Sequence, residues 1–222
     1  MRYDVAMAWL DQRNASLQAG LDRELKAAFR HLRGCDPVLA SVIERVGPCE
    51  LRTTRNHFQV MLETIVSQQL STLAARAIYG RVAAAMGGGS PRPARLLALS
   101  DAQLLACGLS RSKVVYVRNV ARAFAETGYG RRRLARMGDE EVAAALTSIK
   151  GVGAWSAHMF LIFALNRLDV FPIGDLGLRK AMMARYRLRP SVSPRRLDRI
   201  AEPWRPYRTV GTLYMWRSYD GL

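Results

Sequence analysis

Lysine is scarce in this chain, occurring only at positions 26, 113, 150 and 180 of 222 residues. Cysteine is scarce too. Cys35, Cys49 and Cys107 make no C-x-x-C pair and no four-thiolate set. This excludes a structural zinc site and a four-cysteine iron-sulfur cluster, and leaves thiols expected to be buried in a reducing compartment. No apolar run approaches the ~20 residues of a membrane span, and Met1-Arg2-Tyr3-Asp4 lacks a signal-peptide core. A cytosolic protein is expected. Sustained alternation of apolar and polar residues between hairpin turns is missing, as is any internal repeat, so the chain reads as all-α.

Acidic residues are the other shortage. Asp and Glu number 18 against 34 Lys and Arg, for a formal charge of +16 and a pI near 10.8. Such an excess points to a polyanion partner bound in a salt-sensitive way, although an arginine-rich genome would also produce a basic surface that binds nothing. The length allows one large domain or two helical lobes sharing a cleft, and two lobes are expected. Residues 1–34 read as an N-terminal helical extension and 35–222 as the domain proper.

Local signals place the helices. Trp9, Leu10, Leu17, Leu21, Leu25, Phe29 and Leu32 suit one or two amphipathic helices broken near Asn14 or Gly20. Asp36-Pro37 is an N-cap and first-turn pair for a helix stopped by Gly47-Pro48. Asn56 caps a helix that runs into Ser67-Gln68-Gln69-Leu70-Ser71, and another follows from Thr72 to about Met86, ending at Gly87-Gly88-Gly89-Ser90-Pro91. Leu96 to Leu105 reads as one helix, and Arg111, Lys113 and Arg118 bring charge to the start of the next. Arg131-Arg132-Arg133 is either a phosphate patch or a solvated turn. Ala154 to Leu165 is apolar almost all round, which predicts a buried helix, with His158 as a hydrogen-bonded core histidine. Beyond Asp175, helices are expected through Leu178 to Tyr186, after Ser193-Pro194, and from about Tyr207 to Trp216.

Three stretches carry chemistry. Ile149-Lys150-Gly151-Val152-Gly153-Ala154 sets a Gly-x-Gly turn before an apolar helix, where glycine permits positive φ and backbone N–H groups at the helix start suit a phosphate. A Gly-x-Gly turn also joins many helix pairs that bind nothing. Paired glutamines at a helix boundary either satisfy each other, as buried amides must, or fill the gap left when a nucleotide leaves a duplex. Asp175, between Gly174 and Leu176, is placed to N-cap a helix, where the dipole and N–H groups favour an ionised carboxylate able to oppose a developing positive charge.

Taken in order, Ile149 to Ala157, Asp169-Val170-Phe171-Pro172-Ile173-Gly174-Asp175-Leu176, the Ser67 to Ser71 stretch and Trp204-Arg205-Pro206-Tyr207-Arg208 through Trp216 resemble the helix-hairpin-helix DNA glycosylase superfamily, in its 3-methyladenine-DNA glycosylase II branch. The resemblance covers about residues 35 to 220. It implies two helical lobes with a base-binding cleft between them, a monomer acting on double-stranded DNA containing alkylated bases in the bacterial cytoplasm, and removal of bases such as 3-methyladenine and 7-methylguanine. It assigns catalysis to Asp175 and the base pocket to Trp155, Met159 and Trp216. It also assigns DNA contacts to Lys150, Gly151, Val152, Gly153, Arg111 and Lys113, and the wedge to Gln69, Leu70 or Ser71. No cofactor is required by it, no iron-sulfur cluster is expected, and a monovalent cation (Na+ or K+) is implied at the backbone of Gly151 and Gly153.

The chain departs from the family pattern in places. Trp155 stands where bifunctional relatives place a Schiff-base lysine, so strand cleavage is not expected. Lys150 replaces a frequent proline, and the β-rich N-terminal region of some relatives has no room before Cys35. Two other readings stay open: a non-catalytic module for damaged or bent DNA, in which Asp175 is only a cap, and a glycosylase for deaminated or oxidised bases.

Overall fold

The computed structural model describes residues 15–54, 56–126, 129, 131–134 and 136–219. In chain order its helices are α1 (Ala15–Cys35), α2 (Pro37–Val46), α3 (His57–Ser67), α4 (Thr72–Ala85), α5 (Pro93–Leu97), α6 (Asp101–Ala106) and α7 (Arg111–Glu126). Then come α8 (Arg131–Leu134), α9 (Asp139–Thr147), α10 (Ala154–Phe163), α11 (Leu176–Arg185), α12 (Pro194–Ala201), a 3-10 turn (Glu202–Trp204) and α13 (Arg208–Tyr219). Among the described residues there is no strand, as expected for an all-α chain. The chain divides into two compact units, one made of Met1–Thr53 with Asn166–Leu222, the other of Thr54–Leu165.

The first unit is tied together by Asp36. Its Oδ1 accepts from Val38 N and Leu39 N, at 2.9 and 3.0 Å, which caps α2 as the Asp-Pro pair predicted. Oδ2 accepts from the Tyr186 hydroxyl at 2.6 Å and from Trp204 Nε1 at 2.9 Å. One buried carboxylate thus joins α2 to the residue that ends α11 and to the 3-10 turn. Against the Trp204 ring passes Gly211 of α13, where a Cβ would stand 2.5 Å from Cε3, so only glycine lets helix and indole approach this closely. The helix α1 packs on α2 and α13, which makes it part of this unit.

Two sequence expectations are corrected here. Gly20 does not break α1: buried Leu21, Ala28 and Leu32 line one face and outweigh the ~1 kcal/mol that a mid-helix glycine costs. Trp9 and Leu10 lie outside the described residues, as do Gly130 and the side chains of Arg131 and Arg132. Leu96 to Leu105 is not one helix either. Ser100 and Gln103 form a capping box that ends α5 and starts α6.

In the second unit α3 is buried along nearly its whole length and packs on α4, α7 and α10. Phe124 of α7 meets both Phe58 of α3 and Phe160 of α10, which builds the aromatic centre of this unit. The apolar α10 is buried as predicted, but His158 on it is only half-buried, and burial holds its pKa below the ordinary histidine value. All three cysteines are free thiols, and only Cys107 is buried.

Glu63, 5% exposed, accepts from Gln59 Nε2 at 3.0 Å. Burial pushes its carboxyl up to about 7, against the opposing hydrogen bonds of Gln59 and Tyr79. Below the unfolded value of 4.5 both states hold the proton and nothing is lost. As pH rises from there through 7, the folded state keeps a proton that the unfolded state has released, so stability falls. Glu63→Gln is therefore expected to gain stability over the parent as pH climbs across this window, reaching on the order of 3 kcal/mol at pH 8. Urea denaturation at pH 4.5 and pH 8 checks it, and an equal difference at both pH values would refute it.

Candidate active site and nucleic-acid interface

The hairpin lies in the second unit. Ser148 ends α9, the Val152 N–H donates to Ile149 O at 2.9 Å to close the turn, and Gly153 is the N-cap of α10. Glycine is required at 151 for two reasons. Its φ is +105°, and a Cβ would lie 2.3 Å from Cγ of Tyr116 on α7. The turn is thus pressed onto α7, and Asn119 one turn further along donates to Lys150 O at 3.1 Å. Gly153, the N-cap of α10, brings no side chain of its own to cap that helix start, an arrangement that suits a phosphate. Lys150 and Arg111 are both exposed, while Val152 is buried as the apolar prop of the turn.

The two glutamines have different tasks and do not pair with each other. Gln68 Nε2 donates to Gly151 O at 3.1 Å and to Ser156 Oγ at 3.0 Å. This donor takes up one acceptor position of the Gly151 carbonyl, part of the backbone at which the resemblance implies a monovalent ion. Gln69 is exposed with φ +57°, a left-handed conformation that costs a non-glycine residue ~1 kcal/mol or more. Leu70 is half-buried, and Ser71 N-caps α4 through Ala74 N at 3.3 Å, so its hydroxyl is spent within the fold. Of the three wedge candidates Gln69 and Ser71 are exposed, and Gln69 has the longer side chain. Leu73, 80% exposed on the first turn of α4, was not singled out by the sequence because nothing in its spacing marks it.

Lys113 requires a correction. Its ammonium donates to Val66 O at 2.6 Å and Gln68 O at 2.7 Å, the carbonyls that end α3, and burial lowers its pKa. A lysine so engaged is not an outward phosphate contact.

In the first unit Asp175 is 4% exposed and caps α11, as expected. Oδ1 accepts from Leu178 N at 2.6 Å and from Trp216 Nε1 at 2.8 Å. Both donors fall on one oxygen, which fixes the plane of the carboxylate and the direction of Oδ2. Trp216 is fully buried, and its indole N–H serves Asp175. Leu176, directly after the aspartate, is 64% exposed. The loop ahead of Asp175 is held by Asp169. Burial raises the Asp169 pKa, but hydrogen bonds and charge from Arg208, with Arg205, outweigh this and hold it below the usual carboxylate range. Trp155, half-buried, and Met159, buried, stand one turn apart on α10 in the second unit.

A family model described as HhH-GPD superfamily base excision DNA repair protein matches residues 62–206. The chain is 28% identical over 201 residues to the alkylbase DNA glycosidase-like protein mag2 of Schizosaccharomyces pombe, covering 88% of this chain and 94% of that one. Its structure is similar to S. pombe 3-methyladenine DNA glycosylase (Mag1) solved in complex with abasic DNA, at 30% identity and TM-score 0.78, covering 86% of this chain and 95% of that one. It is also similar to the DNA-3-methyladenine glycosidase of Bacillus halodurans, at 37% identity and TM-score 0.74, over 86% and 88% of the two chains.

The double constraint on Gly151 makes it a test of the hairpin. Gly151→Ala forces both a strained φ and a collision with Tyr116, and is expected to cost on the order of 2 kcal/mol of stability and to weaken duplex DNA binding. Fluorescence anisotropy at a temperature where both proteins are folded reads the second effect. Unchanged affinity there would remove the hairpin from the DNA contact.

Proposed function

Because the chain belongs to the HhH-GPD superfamily of base excision DNA repair proteins, we propose that it is a monofunctional DNA glycosylase of the 3-methyladenine type II branch. It releases alkylated purines such as 3-methyladenine and 7-methylguanine from duplex DNA by extruding the base and hydrolysing its N-glycosidic bond. The observation that carries this reading is the buried Asp175 carboxylate, fixed by a helix N-terminus and an indole N–H on the family's Gly-Asp loop. The names of the similar proteins support the alkylated base as substrate.

The chemistry asks little of a proton donor. Alkylation of a purine ring nitrogen leaves the base cationic, so the bond electrons return to the ring as the C1′–N bond breaks and a neutral base departs. The sugar gains oxocarbenium character, which the fixed carboxylate of Asp175 opposes electrostatically while water adds at C1′ and loses its proton to solvent. Electron-rich indoles favour a cationic base over its neutral parent by roughly 0.5–2 kcal/mol per good contact. Trp155 is the indole for that role in the second unit, with Met159 one turn further along α10 as apolar lining, while Trp216 is fully buried and serves Asp175. Damaged bases pair less well, so extrusion costs less at a lesion. Gln69, Ser71 and Leu73 are exposed side chains available to the vacated gap. Trp155 in place of a Schiff-base lysine supports hydrolysis without strand cleavage.

Asp175→Asn keeps a cap and the indole partner but removes the charge, and release of 3-methyladenine and 7-methylguanine from methylated duplex DNA is expected to fall by at least about 100-fold. Free base is measured by chromatography, and strand integrity on gels run without heat or alkali. Release that ignores the substitution would leave Asp175 a mere cap and the protein a DNA-binding module. Strand breaks made by the purified enzyme would overturn the monofunctional part. Trp216→Phe keeps most of the volume and loses only the N–H to Asp175. It is expected to lower the single-turnover rate about tenfold while DNA affinity stays constant; a change in affinity alone would contradict the orienting role of the indole.

A further inference from the structure

We infer that Lys113 is a positioning residue: by holding the last carbonyls of α3 it locks the gap-filling turn, and through Gln68 it ties that turn to the DNA-binding hairpin. Every group in this chain of contacts belongs to the second unit. The ammonium takes Val66 O and Gln68 O at 2.6 and 2.7 Å, carbonyls that the end of a helix leaves without a backbone donor and that attract a cation. Lys113 is half-buried, so these acceptors replace part of the hydration its ammonium gives up.

Gln68 is therefore gripped at both ends. Its carbonyl is held from α7, and its side-chain amide is held by Gly151 O and Ser156 Oγ across the hairpin. The hairpin is in turn fixed to α7 by the Gly151–Tyr116 approach and by Asn119. A closed circuit results, running from α7 to the end of α3, through Gln68 to the hairpin and back to α7. The next residue, Gln69, keeps a left-handed backbone that persists only where its surroundings over-determine it, and the circuit supplies that constraint. A phosphate seated on the hairpin and a side chain placed in the gap are thereby held in one register.

The role in extrusion rests on the glycosylase reading, so the test separates the two. Full-length parent, Lys113→Met and Lys113→Arg are compared on a duplex with a tetrahydrofuran abasic site opposite 2-aminopurine, at a temperature where all are folded. Fluorescence at saturation reports how the gap is filled without any bond being cleaved. Both variants are expected to lose the larger part of the signal, because a thioether donates nothing and a guanidinium is larger than the half-buried ammonium that sits 2.6 and 2.7 Å from its two acceptors. Both should keep the parent's slope of log affinity against log salt, and release base about tenfold more slowly in single turnover. A phosphate ligand would behave otherwise: Lys113→Met would lower the slope by about 0.9 and Lys113→Arg would keep slope and signal alike. That result, or full signal from both variants, would overturn the inference. Should Lys113→Met fail to fold, Gln68→Ala cuts the same circuit without touching a charge and is expected to lose the same signal; retention of the signal there would equally overturn it. A parent that fills the gap but releases no base would refute the glycosylase reading alone.

Discussion

Two aspartates in the first unit use the same physical device, and the unit depends on it. Asp36 and Asp175 each N-cap a helix and each accept an indole N–H, from Trp204 and Trp216. The donors are distributed differently. Asp36 receives two backbone N–H groups on Oδ1 and a phenol with an indole on Oδ2, so both oxygens serve the scaffold. Asp175 receives a backbone donor and an indole donor on Oδ1. A buried charge is tolerable only when hydrogen bonds replace its hydration, and both residues meet that condition. The donors on Oδ1 hold the Asp175 carboxylate rigidly at the start of α11.

In the second unit the comparable constraint is the approach of the hairpin to α7. Tyr116 leaves no space for a side chain at 151, so the turn is pressed against a long helix that also supplies Asn119 and Lys113. The hairpin is thereby held on a rigid base. Gln68 extends the same rigidity to the α3–α4 turn.

Short-range signals in the sequence were read well because capping chemistry is local. Asp36-Pro37, Asn56 and Ser193-Pro194 each accept a backbone N–H two or three residues ahead, within the span over which a motif is visible. The Ser100–Gln103 capping box has the same reach and was masked by the leucines around it. The Asp175 loop and the hairpin were legible as ordered motifs. What joins Lys113 to Gln68 and Gln68 to Gly151 spans 45 and 83 residues, and no spacing in one sequence records such a pairing. Lys113 was misread for a related reason. A lysine near an exposed helix start looks like a DNA contact until the acceptors that occupy it are known.

The same lesson applies to the basic excess as a whole. Arg81 donates to Cys107 O, Arg118 to Leu97 O, Leu99 O and Asp101, and Arg185 to Ser218, while Arg205 and Arg208 share Asp169. These arginines close loop and helix ends, a task suited to a planar fork that reaches several oxygens at once. The formal charge of +16 therefore overstates what is offered to a phosphate backbone, although the charges used internally still raise the long-range potential that draws DNA in. Lys113 performs the same task with an ammonium, which meets the two carbonyls at the end of α3, Val66 O and Gln68 O, as the Arg118 fork meets Leu97 O and Leu99 O.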